Sequence, residues 1–511
     1  MTLVETSGIP LADLLAGLIE LSAERPLPMV QGLCLDSRSV RPGDLFFALA
    51  GTQAHGMKYA ATAAALGASA ILYDPAGNGA DYAEPSLGIP CFPVPGLAQQ
   101  VGFVADRFFG EPSAHLRAVG ITGTNGKTSC SHFLASALAE NGNAAVVGTL
   151  GWGMPGGLQP TAHTTPDAIE VHSLLAKLRA KSFAHVAMEA SSHGLDQGRL
   201  NGVRFEGCLF TNLSRDHLDY HLTMEAYLEA KLRLVCWPGL NYVVFNLDDG
   251  SANAVLARTP ATVRKLGFTL TGKSPTNRLS FELVHASAIE HTQAGISFEV
   301  AFNGGTARIS APLFGGFNVE NLLGVVAVLL AKGLKLDEVA RRVKQVRAVP
   351  GRMERFSAAT GQTAVVDYAH TPDALEKALA SLKPHCKGSL WVVFGCGGDR
   401  DRGKRPQMGA IAGRLADHVV LTDDNPRSEA GDAIINEILN GCKRQDIIVN
   451  RDRRQAIAHA VGQLGPDDVL LVAGKGHEQT QEIAGIKHPF SDREIVNQLL
   501  DRAGERTALC A

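Results

Sequence analysis

The chain has 511 residues, 45% of them hydrophobic, with a mean hydropathy of +0.03, a formal charge of −3 and a pI of about 6.6. Such a length suits roughly three domains with sizeable cores, and the lack of a basic excess argues against a nucleic-acid partner. The nine cysteines are scattered without a C-x-x-C pair, which argues against a disulfide framework or zinc knuckle and fits a reducing compartment.

The first 21 residues carry Glu5, Asp13 and Glu20 but no Lys or Arg, unlike a signal peptide. Residues 75–96 are dense in glycine and proline, and a helix-like stretch follows at 97–109. A first domain boundary is therefore placed at 97. "LRAVGIT" (116–122) reads as a strand running into a glycine loop, and "SCSHFLASALAEN" (129–141) as the helix after it. "AAVVGTL", "HVAMEA", "CLFTNL" and "YVVFNL" are further short, β-rich apolar runs separated by helical patterns. That alternation predicts a mostly parallel sheet with crossover helices. The longest apolar stretch, "LLGVVAVLLA" (322–331), is too short to span a bilayer. A soluble cytoplasmic protein without membrane insertion is expected.

A second boundary falls at "VRAVPGRMERF" (346–356), after the helical "LDEVARRVKQV". Beyond it come "TAVVDY", "SLWVVFG", "HVVLTD", "DIIVN" and "DVLLVAG", trailed by "AHTPD", "CGGDRDRGKR", "DNPRSE", "NRDRR" and "KGHEQT". In open α/β sheets ligands bind outside the carboxyl ends of the strands, so these polar loops are candidate ligand contacts.

Four features carry chemistry. "ITGTNGKTS" (121–129) departs from G-x-x-x-x-G-K-[ST], because Ile121 stands where the first glycine belongs and the glycines are Gly120 and Gly123. The strand–loop–helix context still favours a nucleotide. Backbone N–H groups at a helix start attract anions, Lys127 can reach outer phosphates, and Thr128 can ligate Mg²⁺. Glu189 ends a strand and is a candidate magnesium carboxylate, although a solvated acid at a strand end is the plainer reading. His217 and His221 are four apart, but Leu218 replaces the glutamate that a zinc-protease helix requires. On a helix over 225–235, Tyr227, Leu228, Lys231, Leu234 and Val235 share one face. Lys231 thus sits in an apolar stripe, where it must either snorkel outward or find a partner or modification, since an unpaired buried ammonium costs several kcal/mol.

The series "GTNGKT", "MEASSHGL…QGR", "NLSRDHLDYH", "AYLEAK", "FGGFNVEN", "GRME", "VDYAHTPD", "GCGGDRDRGKRP", "DNPR" and "AGKGHE" resembles the Mur ligase family. The resemblance runs from "LDSRSVRPGDLFFAL" (35–49) to "FSDRE" (490–494). In detail it points to the branch that adds meso-2,6-diaminopimelate to UDP-N-acetylmuramoyl-L-alanyl-D-glutamate. The family's phosphate loop is spelled T-G-T-N-G-K-[ST], as here.

The resemblance implies three α/β domains: a smaller UDP-substrate-binding domain (1–97), a central P-loop ATPase domain with a mostly parallel sheet (98–347), and a Rossmann-like amino-acid-binding domain (348–511). It assigns Leu35, Ser37, Thr52, Gln53 and Ala54 to the uridine diphosphate. His55 stands where the motif leads one to expect Asp, and this puts one contact in question. Thr164, Thr165, Ser191, Gln197 and Arg199 fall to the muramoyl-peptide part. ATP takes Gly123, Thr124, Asn125, Gly126, Lys127, Thr128 and Ser129, with Asn318, Asn321, Arg352 and Asp367. Magnesium takes Thr128, Glu189, His217 and Lys231, the last as a carbamate derived from CO₂. Lys127, Glu189, His217 and Lys231 are the implied catalytic set. Diaminopimelate takes Arg400, Asp424, Asn425, Arg427, Gly474 and Glu478. The alternatives are a sibling ligase that adds L-lysine, a more distant folylpolyglutamate synthase, and an NTP-driven switch protein. A monomer acting on small-molecule substrates is expected.

Overall fold

The structure, a computed structural model, describes residues 8–19, 27–51, 54–82, 87–139, 143–161, 163–272, 281–292, 295–358 and 360–508. Thr52 and Gln53 lie outside the described residues. The chain divides into two compact units, one reaching to Leu266 and the other running from Glu282 onward. Strand Arg264–Thr269 lies at the division. The expected boundaries at 97 and 347 fall inside these units.

Besides a short antiparallel pairing of Ile9–Pro10 with Met29–Val30, the first unit contains two larger sheets. The smaller is parallel, with strands Gly32–Cys34, Asp44–Ala48, Ala70–Tyr73 and Cys91–Pro93 side by side in chain order. The larger places strands in the order Tyr242–Asn246, Phe205–Phe210, Arg117–Thr122, His185–Glu189, Ala144–Gly148, all parallel. Gly151–Gly153 closes its edge antiparallel to Ala144–Gly148. These strands are buried over nearly their whole length. That explains why they read as continuous apolar runs rather than alternating ones, because helices cover both faces of a parallel sheet. Strand Arg117–Thr122 is first in sequence yet central in space. The chain turns outward on either side of it, so the loop after it opens at a topological switch point, where such sheets bind ligands.

The second unit begins with an antiparallel meander, Glu282–Thr292, Gly295–Phe302 and Gly305–Ala311. Helix Gly316–Ala331 follows, with 13 of its residues buried, and then helix Leu336–Val343. Its main sheet has the order Glu354–Ser357, Thr363–Asp367, Val469–Ala473, Leu390–Phe394, His418–Leu421, Ile448–Val449. All but the first strand are parallel. Helices cover both faces, one core around Leu379, Phe394 and Ile438, the other around Ile457, Leu470 and Val496. A hairpin, Thr480–Ile483 with Ile486–Pro489, projects beyond strand Val469–Ala473. Among the described residues no helix is long and apolar enough to cross a membrane.

Candidate active site

The glycine loop after strand Arg117–Thr122 resolves its odd spelling. Gly120 lies inside the strand, where a Cβ would come within 3.0 Å of Leu234, so its role is to let helix Met224–Val235 pack close. Gly123 has φ +140°, and a Cβ there would meet Thr211 Oγ1 at 1.9 Å. Gly126, at φ +85°, starts helix Lys127–Leu138 in the left-handed region that glycine tolerates. The loop is braced from the end of the neighbouring strand. Thr124 N donates to Asn212 O (2.9 Å), Asn125 N to Asn212 Oδ1 (2.9 Å), and Thr211 Oγ1 to Asn125 O (2.7 Å). Thr124 Oγ1 also accepts from Ser214 N (2.9 Å) and lies 3.2 Å from the Tyr227 hydroxyl. Lys127 Nζ folds onto the carbonyls of Gly123 and Thr124, both at 2.8 Å. Thr128 and Ser129 are buried in the first turn of the helix.

Glu189 ends its strand paired in register with Ile121, one strand over from the loop. Its Oε2 accepts from the hydroxyls of Thr128 (3.1 Å) and Thr149 (3.0 Å), and its Oε1 from Thr149 N (3.0 Å). The carboxylate is therefore held against the hydroxyl that the sequence paired with it. Thr149 was not foreseen; its only signal was its place just past the end of strand Ala144–Gly148. A Cβ on Gly148 would lie 2.1 Å from Glu189 Oε1. Gly148→Ala is therefore expected to swing Glu189 away and lower turnover by on the order of 10²-fold, with little change in melting temperature. Steady-state kinetics beside a thermal melt checks this.

The same network continues outward. Thr149 Oγ1 lies 3.0 Å from Thr164 Oγ1, and Thr165 Oγ1 donates to Glu189 O (2.9 Å) while accepting from Ser191 N (3.0 Å). Arg199 donates to Thr165 O (2.8 Å) and grips Gln197 Oε1 through Nε (2.9 Å) and Nη2 (2.6 Å). Ser191 caps the short helix Ser192–Asp196. The five residues assigned to the muramoyl peptide are thus brought together beside Glu189.

Lys231 is 1% exposed, on the buried face of helix Met224–Val235 with Tyr227, Leu234 and Val235. It does not snorkel. Its Nζ donates to Gly123 O (2.8 Å), the carbonyl that also receives Lys127, and lies 4.5 Å from the centre of the Tyr227 ring. Burial pushes its amine well below the ordinary lysine range, and the nearby Lys127 adds to that. Burial likewise pushes the Tyr227 phenol up to about 12. His217, at φ +52°, precedes the short helix Leu218–His221 and is half-exposed. Its ring stands edge-on to His193 (4.9 Å between centres) and Tyr227 (6.1 Å). Among the described residues no group of three or more His, Cys, Asp and Glu is arranged to hold a metal by itself.

In the small sheet, Leu35 follows strand Gly32–Cys34, and Ser37 opens a 3-10 turn that Asp36 caps. Ala54 is half-buried. His55 is buried: its Nδ1 accepts from Met57 N (3.0 Å) and its Nε2 lies 2.9 Å from Asp74 O. This residue, out of pattern for the motif, is part of the scaffold.

In the second unit, Asn318 and Asn321 are buried on helix Gly316–Ala331, linked by a 3.3 Å hydrogen bond, and Asn318 donates to Phe314 O (2.6 Å). Arg352 lies 4.6 Å over the Tyr368 ring. Asp367 ends its strand buried, accepting from Met353 N (2.7 Å). Burial raises its carboxyl, and Arg352 opposes that. His477, unforeseen, packs on Tyr368, and burial aided by Arg352 lowers it to about 4.

The remaining assigned residues gather at the carboxyl ends of the parallel strands. Asp424, Asn425 and Arg427 follow strand His418–Leu421, and Gly474 and Glu478 follow Val469–Ala473. Arg427, at φ +50°, is pinned by its backbone to the hairpin: its N donates to Glu482 O (3.1 Å), and its O accepts from Ala484 N (2.7 Å). Its Nη1 donates to Gly398 O (2.7 Å), and its Nε lies 3.5 Å from Glu482 Oε2. Arg400 is exposed on the preceding loop. Gly474 has φ +116°, and a Cβ there would meet Asp424 Oδ2 at 2.4 Å. Asp424 is buried, burial raises its carboxyl, and Oδ2 has no hydrogen-bond partner among the described residues. Glu478 Oε2 accepts from Asn425 Nδ2 (2.9 Å) and from Lys475 Nζ (2.7 Å). Two fully buried arginines support these loops. Arg405 bonds to Glu429, Glu437 and Gly397 O, and Arg453 pairs with Asp492 through Nε (2.8 Å) and Nη2 (2.7 Å) while reaching Ala473 O.

Three sequence models match in series: "Mur ligase family, catalytic domain" over 29–102, "Mur ligase middle domain" over 121–329, and "Mur ligase, glutamate ligase domain" over 351–476. A UDP-N-acetylmuramoyl-L-alanyl-D-glutamate–2,6-diaminopimelate ligase of Alkalilimnicola ehrlichii is 48% identical over 92% of this chain and 95% of its own length. The protein of that name from Pseudomonas aeruginosa is 47% identical, over 94% and 96%. A solved structure of a ligase with this name superposes with a TM-score of 0.72 at 36% identity, covering 97% of this chain and 99% of the other. A loop rebuilt around Gly123 and Gly126, a carboxylate held on its threonine, a buried lysine beside both, and this agreement along almost the whole length have one explanation: the chain belongs to the Mur ligase family, with that family's three-domain α/β architecture.

Proposed function

We propose that this protein joins meso-2,6-diaminopimelate to the D-glutamyl γ-carboxylate of UDP-N-acetylmuramoyl-L-alanyl-D-glutamate, converting ATP to ADP and phosphate, in peptidoglycan precursor synthesis in the cytoplasm. Residues 1–97 bind the uridine diphosphate, 98–347 bind ATP, and 348–511 bring the amino acid. The observation that carries the amino-acid assignment is the loop cluster after the second unit's strands His418–Leu421 and Val469–Ala473, to which Arg427, Glu478 and the buried Asp424 belong, with Asp424 Oδ2 lacking a hydrogen-bond partner among the described residues. Such a set suits an amino acid carrying both charges at its far end. The full-length similarity to diaminopimelate ligases favours this over the L-lysine-adding, folate and switch alternatives.

A carboxylate is a poor electrophile, so the reaction first makes an acyl phosphate from the γ-carboxylate and ATP. The amine of diaminopimelate then attacks its carbonyl carbon, and phosphate leaves from the tetrahedral intermediate. Positioning and charge neutralisation account for the catalysis, and no protein nucleophile is required. Lys127 and the loop N–H groups of 123–129 orient the phosphates. Thr164, Thr165, Ser191, Gln197 and Arg199 orient the dipeptide beside Glu189. Asn318, Asn321, Arg352 and Asp367 serve the rest of the nucleotide. The Thr128–Glu189 pair supplies the oxygen donors that a hard cation prefers. With His217 and the carbamate of Lys231 it would hold Mg²⁺, whose chemistry is to neutralise phosphate charge. Burial pushes the Lys231 amine well below the ordinary lysine range, which favours the neutral form that reacts with CO₂.

Lys127→Ala and Glu189→Ala are each expected to abolish acyl-phosphate formation, read as loss of ATP-derived phosphate transfer, while affinity for the UDP-substrate stays within a few-fold. Retained turnover in both variants would sink the phosphate-loop assignment.

A further inference from the structure

Lys475 is as deeply buried as any residue of the amino-acid pocket, yet the reading above gives it no task. Its side chain is 0% exposed, and its ammonium donates to Glu478 Oε2 (2.7 Å) and Asn425 Oδ1 (2.9 Å). Asn425 closes the triangle by donating to the same Glu478 oxygen (2.9 Å), and its Oδ1 is fixed from the hairpin by Glu482 N (2.9 Å). Both bonds to Glu478 thus fall on Oε2. The Glu478 side chain remains 30% exposed.

Burial by itself would raise the Glu478 carboxyl, and Glu478 in turn raises that of Asp424. Lys475 leads the groups acting the other way, followed by the Asn425 amide and His477, and the balance lies below the ordinary glutamate value. Arg453 and the Tyr368 phenol also feel its charge.

We propose that Lys475 is a positioning residue for amino-acid binding: it anchors one oxygen of Glu478 and supplies the buried positive charge that keeps the carboxylate anionic, so that the other oxygen meets the far ammonium of the incoming amino acid. This rests on the diaminopimelate reading of the pocket. The competing account is that Lys475 merely ties its loop to Asn425.

The test uses the full-length enzyme with all three substrates. Lys475→Met is expected to raise KM for diaminopimelate by ~30-fold or more, as when one partner of a buried charge pair is removed. KM for ATP and for the UDP-substrate should change little. The acid limb of kcat/KM for diaminopimelate should move to higher pH, because a buried carboxylate without its cation protonates more readily. Lys475→Arg keeps the charge and should leave that limb near its wild-type position. In a Glu478→Gln background Lys475→Met should add almost nothing, since the two residues act as a unit. That double variant also removes both members of the buried pair, which is milder for folding than removing one, so it carries the test should the single variant fail to fold. If the acid limb stays put in Lys475→Met, or if the two losses multiply, the proposal is overturned. If Glu478→Gln leaves KM for diaminopimelate unchanged, it is the pocket reading that falls.

Discussion

Lys231→Ala is expected to lower turnover by on the order of 10²–10³-fold, the scale of losing one preorganised charge at a reacting phosphoryl group. A short-chain carboxylic acid is expected to restore part of it. The lysine lies wholly inside, between the Tyr227 ring and the Gly123 carbonyl, where a permanent ammonium is costly and a snorkelling route is closed. As a carbamate the same side chain would be an anion next to Lys127 and the phosphate loop, and it would add oxygen donors for a magnesium ion. The plainer role, a neutral amine that braces the loop through Gly123 O, predicts a different pattern. Alanine would then weaken ATP binding and destabilise the loop, and no added acid would help. Intact mass of the enzyme kept in bicarbonate gives an independent readout, because a carbamylated chain would be heavier by one CO₂. Full activity of the alanine variant, or a loss that no small acid relieves, would end the carbamate assignment.

Why some of this could be read from the residues and some could not has physical causes. The buried parallel strands Arg117–Thr122, Leu390–Phe394 and Val469–Ala473 were legible because burial on both faces makes them uninterrupted apolar runs. The meander Glu282–Thr292 to Gly305–Ala311 was not singled out, since much of it faces water and its residues alternate only weakly. The phosphate loop was legible despite its spelling because strand, loop, Lys-Thr and helix come in sequence. The reason for its spacing lay elsewhere, in the Leu234 and Thr211 side chains that crowd Gly120 and Gly123. Lys231 stood out because helical periodicity puts it among apolar neighbours. Lys475, Arg405 and Arg453 did not, because a charge in a polar stretch of sequence looks solvated until its partner is known, and the helices that begin at Lys404 and Arg453 bury two of them. Apart from Glu478 beside Lys475, their partners come from distant stretches of chain: Asn425 for Lys475, Glu429 and Glu437 for Arg405, Asp492 for Arg453. His55 looked like a departure at a ligand contact, and only the fold shows its ring turned inward to Met57 and Asp74.

The other large effect is expected at Arg427. Diaminopimelate differs from lysine by one carboxylate at its far end, and a guanidinium can hold that group through two parallel hydrogen bonds, which an ammonium cannot copy. The residue is fixed for such a task. Its backbone is clamped on both sides by the hairpin at Glu482 and Ala484, its Nη1 is tethered to Gly398 O, and Glu482 lies beside its Nε. A Cβ on Gly397 would approach Arg427 Nη1 to 3.0 Å, so the loop before it is also shaped around the guanidinium. Lysine in this pocket would leave the arginine facing no carboxylate, and sites built to bond a polar group reject analogues that lack it by roughly 10⁴-fold or more. Wild-type enzyme should therefore prefer meso-diaminopimelate over L-lysine by about that ratio in kcat/KM. Arg427→Ala and Arg427→Lys should both collapse the preference, mainly by loss of the diaminopimelate reaction rather than by gain of the lysine one. The lysine variant is the sharper probe, since it keeps the charge and removes only the planar fork. If it retained wild-type discrimination, charge alone would be selecting the substrate. Comparable wild-type turnover of the two amino acids would instead overturn Arg427 as the residue that selects diaminopimelate.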